Sequence, residues 1–457
     1  RMYHNGGGVL PEMNAEARYD DLVEIPIYVE GEADGKFDNG DYILFYGRGP
    51  VCWKYDAAKA AYVHQQNPYD DYAYAFVVTG LGAGKRITES EGPSSGAVEA
   101  VSQFLDRQVH EMDEFNLFCV GRTYYGDKME LNSTKNFSFS FPNVVTSKPC
   151  KVKTALAARN LTPATFDVML DNVKKATYSV SAAVSDYVHG YNVGGWVSAN
   201  PTSETTRVSL KYNASGVSSV GYVDYILVNA WRNLAFVGGQ MQFRNPEASI
   251  NNKVYAYKLS NASQQVKVWN VTDPVAPSVM KGQLSGGVFS FNVNGDVGNE
   301  FVAFNGQSFC EAKMFGKVDN QNLHGIRDVD FVILTYDGFM EQAERLKNLH
   351  NSLDPDLNIY ITTPEKVYNE FSCGAKDVSA IRDFCRMLYL DSTPGRNIKY
   401  LLLLGDCTYD YKNRTGIVDF VPTFETVSSL YMLETFVTDD FFGFMDENEG
   451  SIGSSLA

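Results

Sequence analysis

Across residues 20–320, apolar and polar positions alternate with period two in short Val/Ile/Tyr/Phe/Thr runs separated by clusters of Gly, Asn, Asp and Pro. Alternation of this kind turns one side of a run toward a core and the other toward water, as in antiparallel strands. Strands are predicted at 22–28, 42–46, 72–78, 137–141, 207–212, 223–228, 253–259 and 288–293. Helical periodicity is nearly absent from this stretch, so the expected architecture is antiparallel β-sandwich domains. Their expected limits are 1–120 for a first β domain, 121–245 for a β-sandwich, and 246–320 for a small β unit or connector.

The pattern changes after Gly325. Residues 329–335 form a continuous apolar run, as expected of a parallel strand buried on both faces, and Phe339, Ala343, Leu346 and Leu349 follow at helical spacing. After the Asp354-Pro355 break comes a strand at 358–362. Val378, Ile381, Phe384, Cys385 and Leu388 mark a helix face, and 400–404 reads as a third buried strand. Such alternation predicts an α/β domain over 321–457 with a mostly parallel sheet and right-handed crossovers. Three strands fall short of the roughly five or six of an average sheet, so the domain is expected to be incomplete. One further strand or hairpin is expected at 436–445, and a linker-like tail at 450–457.

Composition narrows the function classes. A chain of 457 residues exceeds what one core supports, and 44% apolar residues with 28 Tyr and 28 Phe can fill several. A net charge of −16 without a Lys/Arg block excludes a nucleic-acid partner. Seven cysteines without a C-x-x-C pair exclude zinc ribbons and dithiol redox motifs, and they are expected to be packed free thiols. No run approaches the roughly 18 apolar residues of a membrane span. The first residues carry no apolar signal core, and because the chain begins with Arg1 and lacks an initiator Met it is expected to be a mature or trimmed product.

Gly405, Asp406 and Cys407 follow the third strand, at the carboxyl edge of the sheet where α/β sites form. Cys407 is a candidate nucleophile. It needs a base within reach, yet His350 lies on the first helix and His324 precedes the first strand at the opposite end. Asp34, Asp38 and Asp41 form a candidate calcium loop without EF-hand spacing, and Asp446, Glu447 and Glu449 form another. A self-bonded hairpin turn accounts for the first equally well, and the second is read as a solvated turn, with calcium or a basic partner as the alternatives. The glycine-rich run Gly80 to Lys85 lacks a following helix and is read as a hairpin, not a phosphate loop. Gly92-Pro93-Ser94-Ser95-Gly96 lacks the strand and helix of a nucleophile elbow.

Several runs resemble a known family. They are Tyr368-Asn369-Glu370-Phe371-Ser372-Cys373-Gly374, Ala380-Ile381-Arg382-Asp383-Phe384, the run from Tyr400 to Asp406, and Val437-Thr438-Asp439-Asp440-Phe441-Phe442-Gly443. Together with Phe37-Asp38-Asn39-Gly40-Asp41-Tyr42 and Val268-Trp269-Asn270-Val271-Thr272-Asp273-Pro274, they are similar to gingipain-like cysteine peptidases, within them the PorU-type sortases of type IX secretion. The resemblance implies the amino-terminal portion of a cell-surface cysteine endopeptidase of Bacteroidota, associated with the outer membrane. Such an enzyme cleaves the carboxy-terminal signal of secreted cargo and joins the cargo to anionic lipopolysaccharide, with a PorV-like β-barrel as its partner. No cofactor is required, and calcium is the ion to test. The catalytic His and Cys of the family are expected after Ala457, so the 457-residue chain is expected to be inactive. Asp406, Asp439 and Asp440 match family motifs without an assigned role, whereas Cys373 and Cys407 depart from the pattern. Two other readings stay open: a secreted gingipain-like protease without a sortase role, and a non-enzymatic β-sandwich protein that binds a surface partner.

Overall fold

A computed structural model of the chain describes residues 1–94 and 98–450; Ser95 and Gly96 of the serine motif and most of the expected tail lie outside the described residues.

The strand Ala164–Leu170 shows how the alternation works. Ala164, Phe166, Val168 and Leu170 are buried while the residues between them are half-exposed. Asp171 and Asn172, at φ 48° and 66°, turn the chain into Val173–Val180; two left-handed residues are what a tight hairpin requires. The sheet runs Thr134–Ser140, Thr205–Asn213, Ala164–Leu170, Val173–Val180. Facing it is a sheet whose path is Gln103–Glu111, Val220–Asn233, Cys150–Arg159, Tyr191–Ala199. Phe139, Leu156, Phe166, Leu210 and Ile226 fill the shared core of this antiparallel sandwich.

The stretch read as a small unit or connector contributes most of a second sandwich. One sheet contains Gln240–Phe243, Phe301–Phe304 and Lys267–Asn270, the other Val254–Leu259 and Val288–Asn294. Their common core holds Phe243, Tyr257, Phe291 and Phe301. Two strands come from earlier in the chain: Glu89–Ser90 and Val98–Val101 pair in parallel with Ser278–Met280 and Val254–Leu259. The region before residue 90 forms small sheets and hairpins, among them Tyr28–Glu30 with Tyr42–Leu44. Pro26, without an N–H, splits the strand expected at 22–28 into Val23–Ile25 and Tyr28–Glu30.

In the α/β unit the central strand Phe331–Thr335 is buried at every residue and pairs in parallel with Ile359–Thr362 and Tyr400–Leu404. Helix α1 (Met340–Leu353) buries Ala343, but Leu349 of the expected stripe is exposed and Phe339 precedes the helix. Helix α2 (Pro364–Phe371) was not anticipated, although Thr363 as a capping residue before Pro364 is a helix-start signal. Helix α3 (Val378–Leu390) buries all five expected residues. Tyr400–Leu404 corrects the reading of a buried strand: among the described residues it pairs on one side only, which leaves Tyr400 exposed and Leu401 to Leu404 half-buried. At 436–445 a two-residue strand, Val437–Thr438, pairs with Phe424–Glu425 and leads into a short 3-10 turn.

Residues 9–18 form an arm that packs against the α/β unit, with Leu10 and Asn14 buried and Ala15 to Ala17 exposed. Leu10 sits in its core and donates its N–H to Asp377 Oδ2 at 2.8 Å. Arg382 on α3, fully enclosed, donates to the carbonyls of Pro11 and Glu12. Asn14 N–H bonds the Glu449 carbonyl at 2.9 Å. The arm also touches the first sandwich through Glu12 and Arg122, 2.7 Å apart.

Backbone bonds weld that sandwich to the α/β unit: Arg122 N–H to Thr426 O at 2.9 Å and Thr123 N–H to Val427 O at 3.1 Å. Close approach there requires Gly121, whose φ is 84° and whose Cβ would lie 2.0 Å from the Ser428 carbonyl oxygen. Gly121→Ala is therefore expected to lower stability by roughly 1–3 kcal/mol, the size of a strained left-handed residue, and thermal melting checks it.

Candidate functional site at the carboxyl edge of the sheet

The third strand ends at Gly405, where a Cβ would lie 2.5 Å from Val421 Cγ2. Without one, the returning segment approaches, and Phe420 and Val421 donate their N–H groups to the Asp406 carbonyl, each at 3.1 Å. Asp406 Oδ1 accepts from the Cys407 N–H at 3.0 Å. The enclosed Asp419 carboxylate accepts from Thr408 N–H at 3.1 Å and faces Lys376 Nζ at 3.2 Å. Asp439 Oδ1 accepts from the Thr423 hydroxyl at 2.7 Å, and Asp440 N–H donates to Thr438 Oγ1 at 3.1 Å. Thus Asp406 and Asp439 brace loops of this edge, and Asp440 opens the 3-10 turn.

Cys407 is exposed. Partial burial pushes its thiol up, as do the charges of Asp419, Asp406, Asp439 and Glu425. A nucleophilic thiolate needs the reverse environment. Neither histidine of the unit serves it: His324 Nδ1 donates to Glu370 Oε2 at 2.9 Å, and the His350 ring packs edge-on against Phe331. Cys407 therefore lacks an imidazole partner here. The expectation of packed thiols holds for Cys150, Cys373 and Cys385, whereas Cys119 and Cys310 are exposed like Cys407.

Beneath this edge lies Glu425, 1% exposed, with no donor aligned for a full hydrogen bond to either carboxylate oxygen, the Gly121 amide only lying near. Burial raises its carboxyl to about 7; the Gly121 amide offsets part of that, Asp419 adds to it, and Arg122 offsets a little more. Nothing in the sequence around Glu425 marks a carboxyl that faces inward, since its partner strand Val437–Thr438 lies a dozen residues away.

The two acidic loops behave as turns. Asp34 and Asp41 accept from the Lys36 and Asp38 amides at 2.9 and 2.6 Å, in the loop of the Tyr28–Glu30/Tyr42–Leu44 hairpin, with Asp38 exposed. Glu449 Oε2 accepts from Met445 and Asp446 N–H at 2.8 and 2.9 Å, while Asp446 and Glu447 are exposed. Among the described residues, His, Asp and Glu ligand atoms converge instead at Asp21, His324 and Glu370, all within 4.8 Å of one another. No sequence motif joins groups so far apart in the chain. A cleft of about 560 Å³ between the arm and the first sandwich is lined by Glu12, His64, Glu111, Asp113, Arg122 and Asp224, among others. Burial, with Glu111 and Asp113 nearby, raises the Asp224 carboxyl to about 8, while Lys153 works against the shift.

Comparison with curated proteins found no match. Residues 326–455 match the model of peptidase family C25. A crystal structure of dimeric latent PorU from Porphyromonas gingivalis superposes with a TM-score of 0.83 at 22% identity, covering 99% of this chain and 43% of that one. A CBM36-1 domain of a multidomain xylanase from the hindgut metagenome of Trinervitermes trinervoides overlaps 27% of this chain and 96% of that one, at 12% identity and a TM-score of only 0.19, which carries no weight. The chain spans less than half the length of the PorU chain and shares its fold over nearly all of its own. The likeness to gingipain-like cysteine peptidases read from the sequence is thus borne out, with residues 326–455 as the stretch that matches peptidase family C25.

Proposed function

We propose that the chain is the amino-terminal portion of a surface cysteine endopeptidase of the sortase kind, acting in type IX secretion. The carrying observation is the family C25 match over the α/β unit combined with the PorU fold over 99% of the chain. In this reading the β-sandwiches support the peptidase sheet. The half-exposed strand Tyr400–Leu404 offers its free side to later strands that bring the catalytic His and Cys. Cargo with a carboxy-terminal signal is the substrate, anionic lipopolysaccharide the acceptor, and a PorV-like barrel the membrane partner. No described helix is long and apolar enough to cross a membrane, a finding that leaves a barrel partner open.

The test compares the 457-residue chain with a chain extended by whatever its reading frame encodes after Ala457. The shorter chain is expected to take no label from a cysteine-directed peptidase probe. The extended chain is expected to take label at a later cysteine and to cleave a cargo signal peptide. Labelling of the shorter chain that disappears in Cys407→Ser, or a frame that stops at Ala457, would overturn the proposal. An extended chain that hydrolyses peptides but transfers none to lipopolysaccharide would leave a secreted protease without a sortase role.

A further inference from the structure

His324 is held from two directions. Its Nδ1–H donates to Glu370 Oε2 at 2.9 Å, and its ring stacks on Phe371 with centroids 4.3 Å apart. Glu370 is committed to this task, since it also accepts from the Leu323 and His324 amides and from Gln321 Nε2. The other ring nitrogen, Nε2, is shut off from solvent and has no hydrogen-bond partner. Its nearest charged neighbour is Asp20 Oδ2 at 3.6 Å, and Asp21 Oδ2 stands 3.8 Å from Nδ1. Both aspartates lie just beyond the arm and are exposed; Asp21 Oδ1 accepts from the Leu22 N–H at 2.6 Å, which leaves its Oδ2 toward the histidine, and the Asp20 side chain can turn.

A histidine whose one N–H is fixed by a carboxylate while the other nitrogen faces a further carboxylate, here Asp20 with Asp21 beside the ring, is the arrangement in which imidazole ligates a metal. With metal–ligand bonds of about 2.0–2.2 Å, neighbouring ligand atoms of a tetrahedral zinc ion stand roughly 3.4 Å apart. The separation of Nε2 and Asp20 matches that edge without movement of the histidine. We propose that His324 Nε2, Asp20 and Asp21 form a site for a divalent transition metal of the zinc class, with Glu370 positioning the histidine and water completing the coordination. The ion would tie the amino-terminal segment to the entrance of the α/β unit.

The experiment titrates the full 457-residue chain with zinc alone, in competition with a chromophoric chelator, and follows cobalt absorption in parallel. One zinc per chain is expected to be lost in His324→Ala. In Asp20→Asn/Asp21→Asn, affinity is expected to fall at least about tenfold, and in Glu370→Gln by about 10–100-fold. Zinc is also expected to raise the melting temperature of the parent chain and not that of the aspartate pair variant. Because Asp20 and Asp21 are exposed, that variant keeps the fold and decides the matter even if His324→Ala does not fold. Zinc bound as tightly by the aspartate variant as by the parent, or no zinc bound by the parent, would overturn the proposal.

Discussion

Asp383→Ala is expected to destabilise the folded chain by roughly 3–5 kcal/mol, seen as a lower urea midpoint. Asp383 accepts from Arg382 Nε and Nη2 at 3.0 and 2.8 Å, and from Arg18 Nη1 at 2.8 Å. Arg382 is fully enclosed, its guanidinium also lying over the Phe441 ring at 4.9 Å. Removing the one carboxylate leaves two guanidinium groups without a counter-charge, one of them with no access to water. The loss then exceeds the worth of the ion pair itself, because desolvation of Arg382 is no longer offset. A loss below about 1 kcal/mol would show the network to be solvated, as surface pairs are. The same substitution should loosen the arm, since Asp383 holds the side chains that grip Pro11, Glu12 and Met13.

Glu425 carries the second large effect, and its sign follows from the direction of its shift. Its carboxyl is raised from 4.5 to about 7, so the folded chain binds that proton more tightly than the unfolded chain does. The protonated form's contribution is fully present below pH 4.5 and is lost as pH rises through about 7. Its upper limit is roughly 3 kcal/mol. Glu425→Gln, which keeps the shape and removes the charge, is expected to be more stable than the parent above pH 7 and to lose part of the parent's decline between pH 5 and 8. Equal pH slopes in the two proteins would show that Glu425 reaches water or a donor when ionised.

Much of the architecture is legible in the sequence because burial on one face writes a period into it. Ala164–Leu170 alternates, Phe331–Thr335 is apolar throughout, and Val378, Ile381, Phe384, Cys385 and Leu388 repeat at helical spacing. What local pattern misses is long-range. Glu89–Ser90 and Val98–Val101 join sheets built almost entirely from residues beyond 240, and a pairing partner leaves no local mark. The exposure of Leu349 and of Tyr400 depends on which neighbours cover them, and the sequence around each does not say. The site was legible only as a place. Asp406 and Cys407 stand at the sheet edge, but the surroundings that push the thiol up, partial burial first and then Asp419, Asp439 and Glu425, are brought by later turns. In the sequence Arg382 and Asp383 are letters of a motif, whereas their grip on residues 11–18 exists only in the fold, across more than 360 residues.

That grip sets an order of events when the chain is made. Asn14 is bonded to Glu449, and Leu10 to Asp377, so the arm has its partners among residues made more than 360 positions later. Both sandwiches can close before those partners exist. The arm then remains loose, exposed to proteases and chaperones, until Asp377 and Glu449 have been made. Closure over more than 360 residues therefore makes docking of the arm a late folding step, and a protease pulse during refolding should cut near residues 9–21 until that step is complete.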